Sequence, residues 1–328
     1  MALVKKVALK VSYFGSNFHG VCYQPQENIR TVECEFFKAA LKTKLIEDIK
    51  SCEFSRCGRT DKGVHAAGNY FALYLQARTG NPGKVTTEES ESATSDYRKI
   101  LNGVLPTDIR ILQAQIVPTE FNARFDCRDR VYKYFFEAND MDIGKMEAAS
   151  EYFINKCFSK QIGEHDFRQF CKIDPRKAMS FRRRIISIKI EKICTPMYVA
   201  TVCGTAFLWH QVRYMMAALF KVGKGEEDTS FIFQLLGMKN TPMKKLTHMA
   251  PAEGLVLFDC HFNGLIFDDK DEQFHARGIF RKLYYETFRT LCIYDCLSSS
   301  QGSETLLLST LDTQDHISKA AKKVEEEK

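Results

Sequence analysis

The sequence lacks any hydrophobic run long enough to cross a membrane. Its apolar stretches, such as residues 215–220, are far shorter than the roughly 20 residues that a membrane-spanning helix requires. Residues 1–15 alternate apolar and basic side chains, a pattern typical of a strand and not of a signal peptide. We therefore predict that the protein has no membrane segment.

Closely spaced cysteine pairs are also missing. The 12 cysteines are irregularly spaced, and no two of them form a C-x-x-C pair. Disulfide-rich secreted domains have a higher cysteine density, and common structural zinc sites use such pairs. We therefore predict free thiols, no bound metal and a reducing location, in the cytoplasm, the nucleus or both.

The glycine-rich fingerprints of nucleotide-binding folds are absent as well. Neither G-x-G-x-x-G nor G-x-x-x-x-G-K-[ST] occurs in the chain. The composition, with 45% hydrophobic and 27% charged residues, is that of an ordinary globular protein. These features predict a folded protein without a small-molecule cofactor.

The chain is long enough for two domains. Its 328 residues mix strand-like and helix-like segments throughout, which predicts an α/β or α+β fold. We place the domain boundary near Asp126, giving halves at 1–126 and 127–297. Residues 76–96 are polar and predict a flexible insertion, and residues 298–328 predict a disordered tail.

The net charge of +6 hides an uneven distribution. The stretch 78–96 and the tail 298–328 each carry a net charge of −2, which leaves +10 on the rest of the chain. A basic body permits an anionic partner without demonstrating one.

The most informative segment surrounds Asp61, between two glycines in GRTDKG. Four basic residues crowd the same loop: Arg56, Arg59, Lys62 and His65. A carboxylate among cations is expected to have a low pKa and to stay ionised, which suits a nucleophile. A solvated turn closed by a hydrogen bond from the aspartate fits the composition equally well.

Five segments of the chain resemble, in order, the motifs of the TruA-type tRNA pseudouridine synthases. They are YFGSNFHG at 13–20, GRTDKGVHA at 58–66, NARF at 122–125 with RVYKY at 130–134, GTAFLWHQVR at 204–213 and APAEGL at 250–255. The resemblance runs from residue 4 to about residue 262, which is four-fifths of the chain.

The resemblance implies both a fold and an activity. The fold consists of two RRM-like halves that form one extended mixed, mainly antiparallel sheet, flanked by helices and with a central active-site cleft. The activity is the isomerisation of uridine to pseudouridine in tRNA, without a cofactor. A homodimer is also implied, since a tRNA contacts both subunits in this family.

The resemblance further assigns roles to single residues. Asp61 matches the catalytic aspartate, Tyr132 the tyrosine that packs against the target uracil, and Arg213 the arginine that pairs with the aspartate. Leu255 matches the apolar floor beneath the base, and Arg59 the arginine that helps to extrude it. Tyr132 fits a core position in a strand as well.

A second basic stretch supports RNA binding. Seven basic residues and one acid lie between residues 176 and 192, among them Arg182, Arg183 and Arg184. Such a cluster suits phosphate contacts, although a strand edge protected by charge gives the same pattern. The remaining candidate RNA contacts are Arg56, Lys62, His65, Arg124, Lys133 and Lys172.

One segment indicates a branch of the family. GEHDFRQFCKID at 163–174 resembles the eukaryotic branch that modifies tRNA positions 38 and 39 in the anticodon stem-loop. His165 and Asp166 are expected to serve packing and capping. The chain departs from the family at 76–96 and at 21–24, where a common tryptophan is missing.

Three alternatives remain open. The chain could be a catalytically silent RNA-binding or RNA-folding protein on the same scaffold, or a synthase with other target positions. A carboxylate hydrolase such as a glycosidase would need a second carboxylate in a comparable motif, and we find none.

Overall fold

The computed structural model describes residues 4–26, 28–77, 97–155, 162–173, 180–237 and 246–264. Most of the predicted insertion at 76–96, the predicted tail at 298–328, and Arg176 and Lys177 lie outside these ranges. Within the ranges, no helix combines the length and the hydropathy needed to cross a bilayer.

The described strands form one sheet. They are β1 (Val4–Tyr13), β2 (Ser55–Arg56), β3 (His65–Gln76), β4 (Ile109–Ile116), β5 (Cys127–Glu137), β6 (Glu164–Asp166), β7 (Arg182–Cys194), β8 (Met197–Gly204) and β9 (Leu255–Phe262). Their order is β4-β1-β3-β9-β5-β8-β7-β6, and β2 pairs with β3. Only β3 and β9 run parallel, so the predicted mixed, mainly antiparallel sheet is confirmed.

Four helices with both ends described flank this sheet. They are α1 (Val32–Lys42), α2 (Ile143–Ile154), α3 (Gln211–Gly223) and α4 (Phe231–Gly237), and a helical segment also covers 97–102. Thr31, a residue type that favours helix N-caps, is the N-cap of α1, and its hydroxyl accepts a hydrogen bond from the amide of Cys34 at 3.2 Å. The 3.6-residue spacing of Phe36, Phe37 and Leu41 favours a buried face that includes Leu41, but Leu41 is 38% exposed and Ala40 is buried instead.

Strand β9 joins the two parts of the chain. It pairs antiparallel with β5 along most of its length but parallel with β3 at two positions, His65 opposite Val256 and Ala66 opposite Leu257. The short parallel ladder follows the GRTD segment directly. The fold therefore places Asp61 beside the second half of the chain.

Candidate active site

The loop that carries Asp61 is fixed at its base by buried polar groups. Asn69 on β3 accepts a hydrogen bond from the amide of Gly58 at 2.9 Å and donates one to the Gly58 carbonyl at 3.1 Å. The Thr60 hydroxyl lies 2.7 Å from the phenol oxygen of Tyr13. Because Asn69 and Thr60 are buried, these bonds favour a single loop conformation.

A tight turn follows Asp61, as its flanking glycines predict. The amide of Val64 donates to the Asp61 carbonyl at 3.1 Å, and Gly63 has a φ of +82°. That φ favours glycine, and a Cβ at Gly63 would lie 3.2 Å from the Cβ of Ala252. The turn therefore approaches the APAEGL segment closely.

The Asp61 carboxylate is held by two consecutive residues just before α3. The indole Nε1 of Trp209 donates a hydrogen bond to Oδ1 of Asp61 at 3.1 Å. Nε2 of His210 lies 3.4 Å from Oδ2, and the Asp61 side chain is 24% exposed. The carboxylate thus has one open side, at the meeting of the two halves.

The prediction that neighbouring cations keep the pKa of Asp61 low is wrong. Burial raises this pKa, and the charge of Arg213 and the Trp209 hydrogen bond offset only part of the effect. The loop cations do not compensate, because Arg59 and Lys62 point into solvent.

His210 contacts Asp61 as a neutral imidazole. Burial, followed by the charges of Arg213 and Lys172, lowers the pKa of His210 to about 4. Its contact with Asp61 is therefore not an ion pair near pH 7. Nδ1 of His210 is buried and has no hydrogen-bond partner among the residues that the structure describes.

Arg213 acts on Asp61 through space. Its Nε donates to the carbonyl of Ala250 at 2.7 Å, and the Ala250 amide donates to the Arg213 carbonyl at 3.1 Å. Arg213 and Asp61, both described, form no ion pair within 4.0 Å. The direct pairing that the resemblance implies is therefore not formed in this structure, although the guanidinium charge still lowers the pKa of Asp61.

The start of α3 is later than the sequence pattern favours. The apolar spacing from Phe207 onwards favours a helix, but α3 begins only at Gln211, because His210 has a φ of +66°. Ala206 consequently lies outside the helix and does not share a face with Arg213. The left-handed backbone conformation of His210 directs the side chains of Trp209 and His210 towards Asp61.

Tyr132 lies on β5 in the interior. Its side chain is 8% exposed, and burial raises the pKa of its phenol. The ring packs edge-on against Phe207, with centroids 5.1 Å apart. On the neighbouring strands, Tyr132 faces Val202 and Leu257. Its uracil-stacking role stays a prediction.

His65 belongs to the parallel ladder, and Leu255 directly precedes the ladder on β9. Leu255 is 5% exposed at the start of β9. Nδ1 of His65 accepts a hydrogen bond from the amide of Gly15 at 3.0 Å, and its ring lies 4.5 Å from that of Phe14. His65 thus ties the YFGSNFHG loop to the loop that carries Asp61, a structural use that differs from the predicted RNA contact.

Arg56 also has a structural partner. Its Nη2 donates to Oε2 of Glu33 at 2.7 Å, its Nε contacts Oε1, and the amide of Tyr23 donates to Oε2 at 2.7 Å. Glu33 is fully buried, and burial raises its pKa despite the charge of Arg56. Of the loop cations, Arg59 and Lys62 are the ones exposed to a ligand.

Two of the basic side chains predicted to contact RNA lie against exposed aromatic rings. The Arg124 guanidinium lies 5.1 Å from the ring centroid of Phe125, which is 74% exposed. Nζ of Lys133 lies 3.9 Å from the ring centroid of Phe258. A cation beside an exposed ring suits contacts with phosphate and base together.

Lys172 connects the GEHDFRQFCK segment to the site. Its Nζ lies 4.7 Å from the ring centroid of Trp209, and its amide donates to the Trp209 carbonyl at 3.0 Å. Earlier in the segment, His165 is buried and Asp166 accepts a hydrogen bond from the amide of Arg168 at 3.0 Å. His165 and Asp166 therefore serve packing and capping, as expected.

The three arginines at the start of β7 do not share one environment. Arg182 donates to Glu164 at 2.7 Å, and the half-buried Arg183 donates to the Ser180 carbonyl at 2.9 Å. Burial lowers the pKa of Arg183. Arg184 is exposed, on the same face of the strand as Arg182. Because side chains alternate along a strand, the three arginines do not lie on one face, and their contacts with RNA stay a prediction.

Sequence reasoning missed Trp209 and His210. Both stand inside the GTAFLWHQVR motif, at positions where the family pattern names no residue. The signal that could have identified Trp209 is its rarity, since it is the one tryptophan of the chain.

Comparisons with known proteins show which proteins this chain is similar to. A family model described as tRNA pseudouridine synthase matches residues 158–263. The tRNA pseudouridine(38/39) synthases of Homo sapiens and Saccharomyces cerevisiae are 35% and 37% identical to the chain, over 92% and 87% of its length. The chain spans 64% and 65% of these two relatives.

A shorter relative is covered more completely. The tRNA pseudouridine synthase A of Methanosphaera stadtmanae is 36% identical over 273 residues, which are 82% of this chain and 88% of that protein.

Proposed function

The chain belongs to the TruA-type family of tRNA pseudouridine synthases, and from this membership we propose that it isomerises uridine to pseudouridine in tRNA. The observation that carries the proposal is the Asp61 carboxylate, partly buried between the two halves and held by Trp209. The resemblance assigns the catalytic role to this aspartate.

The reaction needs no net oxidation and no second substrate. The N1–C1′ bond of uridine breaks, the uracil turns, and C5 joins C1′. C5 then loses its proton to solvent, while N1 gains one. An ionised Asp61 can promote the first step as a nucleophile towards the base or the sugar. The Trp209 N–H and the Arg213 charge favour its ionised form against burial.

Three other residues would bind the extruded nucleotide. We propose that Tyr132 stacks on the uracil, that Leu255 lies beneath it, and that the exposed Arg59 helps to hold the base out of the stem. Leaving the stem costs stacking energy, and these contacts would offset part of that cost.

Positions 38 and 39 of the anticodon stem-loop are the proposed targets. Two relatives carry these positions in their names. The segment that resembles the eukaryotic branch contains Lys172, which lies against Trp209 and so close to Asp61. This proximity supports a role for the segment in choosing the uridine.

Asp61→Asn tests the activity directly. We expect the variant to bind tRNA like the wild type but to release no tritium from tRNA labelled at C5 of uridine. Asp108→Asn is a matched control, since Asp108 pairs with Arg30 at 2.8 Å and does not contact Asp61. Undiminished tritium release by Asp61→Asn would contradict the proposal.

Pseudouridine mapping separates the remaining alternatives. tRNA from cells with and without the protein should differ at positions 38 and 39. A difference at other positions would indicate another target. An unchanged map, with tRNA binding retained, would favour the silent RNA-binding protein.

We also propose a homodimer, on the resemblance alone. Sedimentation of the purified chain should give twice the mass of the single chain, and adding tRNA should add the mass of the bound tRNA to that of two chains. A single chain per particle in both samples would contradict it.

A further inference from the structure

Three cysteine thiols meet at the base of the catalytic loop. The Sγ atoms of Cys57, Cys127 and Cys260 lie within 4.8 Å of one another. Cys57 directly precedes the GRTD segment, Cys127 begins β5, and Cys260 lies on β9. The cluster therefore joins the first half of the chain to the second.

A buried cation accompanies the thiols. The Arg130 guanidinium donates to the carbonyls of Thr205, Arg124 and Cys57 at 2.7, 3.1 and 3.4 Å. Among the residues that the structure describes, no carboxylate pairs with Arg130, and its side chain acts electrostatically on all three thiols. A buried cation without an anionic partner is unfavourable, so negative charge on the sulfur atoms would stabilise it.

From this geometry we propose that Cys57, Cys127 and Cys260 form a binding site for a zinc ion. Zinc prefers thiolate ligands at about 2.3 Å, which corresponds to sulfur atoms about 3.8 Å apart. Small side-chain rotations bring three atoms already within 4.8 Å to that spacing. Three thiolates leave the fourth coordination position of zinc open to another ligand, and the site does not depend on the proposed isomerase activity.

The charges of such a site balance. Binding releases the thiol protons, and the three resulting thiolates are neutralised by one divalent ion together with the Arg130 guanidinium. Without metal, the Cys127 thiol donates to the Asp129 carbonyl at 3.2 Å, and the Cys260 thiol donates to the Gly68 carbonyl at 3.7 Å.

Metal content tests the site in the full chain. Protein purified from zinc-supplemented cells under reducing conditions should carry about one zinc ion per chain by mass spectrometry of the metal. Cys57→Ser and Cys260→Ser should each lower this content at least about tenfold. Cys52→Ser, at a buried cysteine whose thiol donates to the Ile49 carbonyl at 3.1 Å, should leave it unchanged.

A spectroscopic measurement on the wild-type protein tests metal binding even if the cysteine variants do not fold. Cadmium added to metal-free wild-type protein should produce the ultraviolet charge-transfer band of cadmium thiolates, which should stop growing at about one cadmium ion per chain, and protein loaded with zinc beforehand should gain the band more slowly. Wild-type protein that gives no such band on adding cadmium would overturn the proposal. A disulfide between two of the three cysteines, found by peptide mapping of freshly purified protein, would overturn it too.

Discussion

The indole of Trp209 is the strongest direct partner of Asp61. Trp209→Phe removes the N–H donor and keeps a ring beneath Lys172. Hydrogen bonds to charged groups contribute about 1.5–3 kcal/mol, so we expect single-turnover isomerisation to slow by about 10- to 100-fold. The acid limb of the pH–rate profile should move to higher pH, because this bond lowers the pKa of Asp61.

Tyr214→Phe is the control for this variant. The Tyr214 ring lies 6.5 Å from that of His210. The substitution therefore removes a hydroxyl near the site without removing a contact of Asp61. Equal rates for the two variants, with the acid limb unmoved, would exclude Trp209 from positioning the carboxylate.

The raised pKa of Asp61 has a consequence for stability. The folded protein binds this proton more tightly than the unfolded chain, whose aspartate has the ordinary pKa of 3.8. The resulting stabilisation is complete below that pH and is lost as the pH rises through the folded-state pKa. Asp61→Asn does not titrate, so its Tm should exceed that of the wild type at neutral pH.

Thermal unfolding from neutral to acid pH measures this difference. The advantage of Asp61→Asn should shrink as the wild-type carboxylate becomes protonated. An advantage that grows towards acid would show that the pKa of Asp61 is lowered in the fold.

Asp61 itself could be predicted from the sequence, but its pKa could not. The cations of its loop lie next to Asp61 in the sequence, whereas Trp209 and Arg213 are about 150 positions away along the chain. Burial, the largest effect, depends on packing that no local pattern encodes.

At the level of elements, side chains alternate along β7, so neighbouring arginines of this strand point to opposite faces of the sheet. Arg184→Glu should weaken tRNA binding and reduce the slope of log affinity against log salt by about one. Arg184 is exposed, whereas Arg183 is turned towards the backbone. Lys38→Glu on α1, with a side chain that is 73% exposed, is the matched control.

Filter binding of tRNA at several salt concentrations gives both slopes. If Arg184→Glu and Lys38→Glu change the salt slope equally, the effect is one of net charge in general. The prediction that β7 contacts tRNA would then be contradicted.

Element types were easier to predict than element ends. The strands at β1 and β8 follow the predicted apolar patterns closely. The start of α3 was misplaced because the left-handed His210 interrupts a sequence that otherwise favours a helix. The cysteine cluster was missed because its members are 70 and 133 positions apart, so their spacing resembles no metal motif.

At the scale of the whole molecule, Leu257 links the site to both halves. It faces Tyr132 across the sheet, and a Cβ at Gly58 would lie 2.4 Å from its Cδ2. Leu257 is fully buried, so Gly58→Ala must displace it. Because Gly58 precedes Asp61 by three residues, the same displacement would disturb the Asp61 carboxylate and Tyr132 together.

We therefore expect Gly58→Ala to lower the free energy of unfolding by about 1–3 kcal/mol, the usual cost of overpacking, and to slow isomerisation as well. Gly103→Ala is the matched control, since a Cβ there meets only carbonyl oxygens at 3.4 Å. Urea unfolding and single-turnover rates measure the two effects. If Gly58→Ala lost stability but kept the wild-type rate, the contact between the halves would serve folding alone, and the position of Asp61 would not depend on it.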